Sequence, residues 1–445
     1  MATARAFTAY ASSALGGPEW LRRRREEAFS RWEAAGLPSQ SEEVWRYSRI
    51  DELDLDAYSP VPPGTAAMDP DTLPYGDAFP GSAALVWSHD AQVTHVELGD
   101  ELASKGVVVG TVLAGPPGGN AAAAGEIAEE HYGTAAPPRD GLGNLAGAFV
   151  DDVVVVSIPD GVVIDSPIVV VHWGSASQEP SLGSNAVFPR TLIVAGTNSK
   201  ATVVEISTSA PWGAVGTRLL VVPVTEVVVA ANAHLDYVSL QDLGPHDWQI
   251  AHQASTVGRD ARFTSFTTAL GADYARVRTD SKAVAPGAET RLFAAYFGTG
   301  TQMHDFRTLQ DHAAPHTKSD LYFKGAVADE ARSVYSGLIR ICKGAVRSVA
   351  FQENRNLVLS EGAHADSVPN LDIQENDVRC SHASAVGPVD PDQRYYLESR
   401  GVPPEEAEQL VVEGFFDDIV ARAPGVPAVR AMIHQKVTAK LKEKF

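Results

Sequence analysis

Cysteine is almost missing from this sequence: 445 residues hold two, Cys342 and Cys380. Two thiols cannot staple a disulfide framework, and no CxxC pair exists to grip a structural zinc or to run thiol exchange. A reducing compartment, the cytoplasm, is therefore expected. Positive charge is also short. Lys and Arg number 36 against 56 for Asp and Glu, a net of −20, which excludes the basic face that nucleic acid or an anionic membrane rewards. Long apolar runs are missing too. Val153–Val156 and Ile168–Val171 are broken by Asp, Pro or Gly, well short of the roughly 18 residues of a membrane span. The opening MATARAFTAYASSALGG lacks the continuous apolar stretch of a signal peptide. No GxxxxGK[ST], GxSxG, HExxH or EF-hand loop occurs, so neither an ATPase nor a motif-borne hydrolase is expected. What is present is globular, 44% hydrophobic and 21% charged.

Three textures follow one another. Residues 1–140 read as a helical domain with a loop-rich linker. Trp20, Leu21, Ala28, Phe29 and Trp32 recur at helical spacing until Gly36-Leu37-Pro38 stops them, and Arg22–Arg25 read as a solvated face beside Glu26 and Glu27. Residues 59–82 and 110–140, rich in Pro, Gly and Ala, read as loops. Residues 141–387 are dense in β-branched residues. The runs VVVVSIP (153–159), RTLIVAG (190–196) and ATVVEIS (201–207) are four to seven residues long and end in Gly, Pro, Asp or Asn. With no long amphipathic segment between them, a doubly wound sheet is excluded, leaving a sandwich, a barrel or a solenoid. Small residues recur before strand-like runs, at Gly258–Ala261, Gly287–Thr290, Ala328–Ala331, Gly344–Arg347 and Gly362–Ala365, as stacked coils require. Residues 388–445 turn helical. Asp390-Pro391 forms a cap followed by Pro, Gly401 is a stop, and a second helix from Pro403 places Ala407, Leu410, Val411, Gly414, Phe415 and Ile419 on one stripe. The neighbours Phe415 and Phe416 point about 100° apart on a helix, so Phe416, or an apolar residue near it, is expected to stay partly exposed and meet a partner. A third helix spans about 427–443.

Few residues stand out chemically. Gly141-Leu-Gly143 follows no strand, so it is not a dinucleotide loop. His304, His312 and His316 lie in MHDFRTLQDHAAPHTKSD (303–320), where Pro315 breaks any helix, and they read as polar packing in a turn. Cys380 and His382 are two apart and share one face of a strand. A soft sulfur beside a borderline nitrogen suits iron, zinc or an iron–sulfur cluster, but two donors do not complete a site. Carboxylates are plentiful without a distinguished pair. A β-helix carbohydrate-active enzyme working through a carboxylate pair is therefore the rival reading.

The string NDVRCSHASAVGPVDPDQRYYLESRGVPPEEAEQLVVEGFF (376–416) resembles the C-terminal signature of the SufB/SufD family of iron–sulfur cluster assembly proteins. It is preceded by FQENRNLVLSEGAHADSVPNLDIQENDV (351–378) and DHAAPHTKSDLYFKGAV (311–327). NLAGAFVDDVVVVSIPDGVVIDSPI (144–168) and GLPSQSEEVWRYSRIDEL (36–53) resemble the start of its core and its Trp-Arg-Tyr element. CSHASAVG stands where CSHGATVG is commoner. A SufB-like chain is usually longer and richer in cysteine, so the likeness is to the SufD side. The resemblance implies a right-handed parallel β-helix flanked by helical domains and a non-catalytic scaffold in a cytoplasmic complex. It implies a SufB-like partner and an ABC-type SufC ATPase docked on the C-terminal helices around Phe415 and Phe416, with a homodimer possible in isolation. It places His382 and Cys380 as ligands of iron or a transient cluster at the interface, and no firmly bound cofactor.

Overall fold

The computed structural model describes residues 6–62, 75–113, 120–177, 183–209 and 216–444. Among them, strands alternate between two sheets. One sheet runs through Trp248–Val257, Tyr274–Ala283, Met303–His312, Arg332–Ile341 and His364–Ile373. The other runs through Arg262–Ala269, Glu289–Gly298, Lys318–Val327, Val349–Val358 and Arg379–Gly387. Each strand pairs in parallel with the strand two further along the chain, in continuous register. The chain thus lays one strand in each sheet and returns a layer higher. About seven such turns make a parallel β-solenoid. The small residues noted in the sequence stand at its corners. Neighbouring corners such as Gly344 and Gly362 flank single strands, so their spacing marks half a coil. Several strands reach ten residues, longer than the apolar runs suggested, because polar inward residues continue them.

One corner column explains a histidine. Asn198, Asn232, Asp260, Gly287, His316 and Arg347 all have positive φ. Successive corners are tied by backbone bonds, from Asn232 N–H to Arg259 O and from His316 N–H to Val346 O. Where the column is tightest only glycine serves: a Cβ on Gly287 would lie 1.9 Å from Asp260 Oδ1. His316 is a corner residue, exposed to solvent.

The N-terminal 140 residues depart from the helical expectation. The helix Glu19–Ala35 forms, but Ala84–His89 joins the second sheet beside Ile168–Gly174, and Gln92–Leu98 returns antiparallel along it. Val108–Thr111 pairs antiparallel with Val154–Ile158 and ends the first sheet. The span read as loop contains a helix, Ala121–His131, whose Ala124 and Ala128 pack beneath Trp20 and Tyr132. Its alanines are small enough to lie close to the sheet, which composition alone reads as linker. Arg25 is also not solvated. Its guanidinium is buried and donates to the carbonyls of Leu15, Gly16, Val150 and Asp151. The Trp-Arg-Tyr element latches onto the first sheet. The Trp45 ring lies 3.9 Å from the Arg276 guanidinium carbon, and Arg276 and Arg307 donate to the carbonyls of Val44 and Arg46. Gly141-Leu-Gly143 opens a helix, Gly141–Phe149, capped by Asp140. The C-terminal helices Pro391–Glu398, Pro404–Val420 and Pro427–Lys444 follow. The middle one packs on the outer face of the second sheet, against Glu289–Gly298 and Lys318–Val327.

Candidate functional site: the open end of the solenoid

The last coil consists of His364–Ile373 and Arg379–Gly387. In-register pairing sets Cys380 over Ala350, His382 over Gln352, Ser384 over Asn354 and Val386 over Asn356. Those four lower residues are buried in the lumen, so Cys380 and His382, two apart on one strand, stand on inward rows. Across the lumen Ser367, Pro369, Leu371 and Ile373 stand over Tyr335, Gly337, Ile339 and Ile341. No further coil follows. Residues that would be core one layer lower are therefore uncovered: Leu371 is 40% exposed, Ile373 41% and Val386 46%. His382 is exposed. Cys380 is half-buried against Ile339, Ile341, Ala345 and Ala350.

Burial pushes the Cys380 thiol up, so the free chain holds it as a neutral thiol beside the His382 imidazole on one face. Among the described residues no cluster of three or more His, Cys, Asp or Glu gathers to hold a metal. The pair supplies two donor side chains, on a surface both partly apolar and unpaired along its backbone.

The other candidate residues have structural partners. His304 is fully buried, donates from Nε2 to Gly271 O, and is pulled down to about 3 by burial and by Lys440. His312 bonds Thr317 and Ser319 at 2.7 and 2.8 Å and is pulled down to about 4 by burial. Cys342 lies beside Asp311, which Arg340 engages through two nitrogens. A groove of about 520 Å³, with Phe351 in its lining, holds Glu289 and Asp320. Arg291 and Arg262 hold the Glu289 carboxyl down against the effect of burial, whereas burial pushes the Asp320 carboxyl up although Arg422 and Arg291 oppose it.

The helical stripe needs correction. Phe416 is 2% exposed and stacks on Phe297 with centroids 5.7 Å apart. The buried row is Ala407, Val412, Phe416 and Ile419: Ala407 and Ile419 lie where expected, while Val412 and Phe416 take the buried places expected for Val411 and Phe415. Phe416 is therefore not available to a partner. Phe415 is half-buried under Lys324, whose ammonium sits 4.4 Å from its ring and bonds Phe415 O and Asp418. Leu410, Tyr395 and Tyr396 are the exposed apolar side chains nearby.

Fold and site define a class: a parallel β-solenoid closed at one end and carrying a Cys–His pair on the inward rows of its open end. The description "SUF system FeS cluster assembly, SufBD core domain" matches residues 176–415. The chain is 38% identical over 213 residues to an iron–sulfur cluster assembly SufBD family protein of Mycobacterium tuberculosis. That match covers 46% of this chain and 53% of the relative, so the chain spans about half the length of the curated mycobacterial relatives it matches. It is 27% identical over 443 residues to SufD of Bacillus subtilis, covering 96% and 95% of the two chains, and 31% identical over 187 residues to SufD of Escherichia coli, covering 42% and 44%. The chain belongs to the SufB/SufD family of iron–sulfur cluster assembly proteins and within it is most like SufD.

Proposed function

We propose that this chain is the SufD-type scaffold subunit of a cytoplasmic iron–sulfur cluster assembly complex, without catalysis of its own. Its open end pairs with a SufB-like subunit. A SufC-type ATPase docks on its C-terminal helices, where exposed Tyr395, Tyr396 and Leu410 take the place expected for Phe416. Iron or a nascent cluster is cargo, met transiently by His382 and, once deprotonated, Cys380. The observation that carries this reading is the uncovered last coil. Two bare sheet edges, three exposed inward aliphatics and an incomplete soft ligand set lie on one surface. A partner with a matching end would pair the edges, cover the aliphatics and supply the missing donors. A second copy of the chain could occupy the same surface when the partner is absent. Among the described residues no helix is long and apolar enough to cross a membrane.

The test is a pull-down from the native cell followed by variant complexes. A SufB-like chain and an ABC ATPase should co-purify; recovering neither defeats the reading. His382→Ala should leave assembly intact but sharply lower the cluster absorbance and iron content of the complex. Wild-type levels would return His382 to an ordinary surface residue.

A further inference from the structure

One residue under the open end is out of keeping with its surroundings. Gln352 is 2% exposed, yet neither its Nε2 nor its Oε1 has a hydrogen-bond partner. The other amides of its row are satisfied: Asn354 donates to Tyr296 Oη at 2.9 Å, and Asn356 donates to Asn354 Oδ1 at 2.7 Å. A buried polar group left unpaired is destabilising, and methionine or leucine would fill a similar volume without that penalty. The neighbouring backbone makes room for the amide. A Cβ on Gly337 would lie 2.6 Å from Gln352 Nε2 and 2.3 Å from Tyr335 Oη. Glycine there lets the carboxamide lie across the lumen.

His382 is the residue on the rung directly above, in register with Gln352, across a strand spacing of about 4.8 Å. An imidazole binds metal through one ring nitrogen. The other keeps its proton and needs an acceptor, which fixes the tautomer and the ring plane. One unmatched acceptor and one future unmatched donor thus stand on adjacent rungs of one inward row. We propose that Gln352 is a positioning residue for His382, its Oε1 accepting the ring N–H that ligation leaves. The unpaired amide of the free chain is then a site held ready for the turned-in imidazole. This inference rests on the reading that His382 ligates a metal.

The experiment uses the co-purified complex with Co(II) as probe. Gln352→Met keeps the volume and removes the acceptor, Gln352→Glu keeps an acceptor, and His382→Ala is the control. Gln352→Met should bind Co(II) about 10–100-fold more weakly, with a thermal midpoint equal to or above wild type. Gln352→Glu should restore affinity to within a few-fold. In the zinc-loaded complex the His382 ring should show a single tautomer with a slowly exchanging N–H, lost in Gln352→Met. Wild-type affinity in Gln352→Met, or a weaker affinity accompanied by a lowered midpoint, overturns the assignment while leaving His382 as ligand. Wild-type Co(II) binding in His382→Ala, or no uptake by the wild-type complex, overturns the metal reading, and the role of Gln352 falls with it.

Discussion

At the N-terminal end both sheets stop on antiparallel strands, Gln92–Leu98 and Val108–Thr111, and helices tied down by Arg25 pack against the first coils. At the C-terminal end both sheets stop on bare parallel strands, His364–Ile373 and Arg379–Gly387. Burial falls away accordingly. Lys318–Val327 is nearly all buried, Val349–Val358 is buried on alternate residues, and Arg379–Gly387 has no buried residue. A strand edge is a template for another chain, and proteins blunt the edges they do not use. This chain blunts one pair and leaves the other flat and partly apolar. The two ends therefore differ in what they leave unpaired: the N-terminal end covers its edges with its own chain, and the C-terminal end does not.

The sharpest way to break that comparison is at Arg25. Its removal leaves the buried carbonyls of Leu15, Val150 and Asp151 without their donor, each worth about 1–3 kcal/mol when unpaired. Arg25→Met should therefore lower the unfolding free energy by more than about 3 kcal/mol in urea denaturation. A loss under 1 kcal/mol would show that the N-terminal helices are ornament rather than closure.

Acid should separate the two halves by sign. His304 and His312, in the later coils, are held down to about 3 and 4. Between pH 6.5 and about 4 the unfolded chain binds protons that these folded imidazoles refuse. Stability therefore falls as pH drops, by up to about 1.4 kcal/mol per pH unit for each. Asp152, beside the first sheet's end, is pushed up to about 6 by burial. Its folded form holds a proton from about pH 4 to 6 that the unfolded chain has released, so its contribution rises as pH falls through that window. His304→Asn should flatten the loss of stability between pH 7 and 5, and Asp152→Asn should steepen it, read from urea midpoints at both values. Parallel slopes in all three proteins would reject the assignment.

The sequence carried the fold further than the site. The β-branched runs, the corner glycines and the Asp390-Pro391 cap are local signals, and the structure uses each where it stands. Ala84–Thr111 was hidden because its three strands, four to seven residues long, are too short for a readable periodicity and lie between Pro- and Gly-rich segments. The exposure expected at Phe416 was misread for a different reason. Val411-Val412 and Phe415-Phe416 come as doublets, so two helical stripes one residue apart fit equally well, and only the docking of the helix on Phe297 chooses between them. Replacing Phe416 by Asp would put an unpaired charge into that core rather than probe a surface. The period of two showed that Cys380 and His382 share a direction. That the direction is inward, above Gln352, depends on register across strands far apart in sequence, which one strand cannot disclose.

The smallest effect on folding, and the closest test of the open end, is expected at Val386. It stands on an inward row, yet is 46% exposed because no coil lies above it. In the free chain Val386→Ser should change stability by no more than about 0.5 kcal/mol, as surface substitutions do. Full burial of a valine side chain is worth about 1.5–3 kcal/mol, and roughly half of that remains to be gained at this residue. Association through the last coil should therefore weaken by about 1 kcal/mol, some fivefold in Kd, measured by sedimentation of the isolated chain or by titration of its partner. If the variant folds normally and associates as tightly as wild type, the last coil is not the contact. If it unfolds at lower urea by the margin of a core substitution, the end is already covered by part of the chain itself, and the contrast between the two ends disappears.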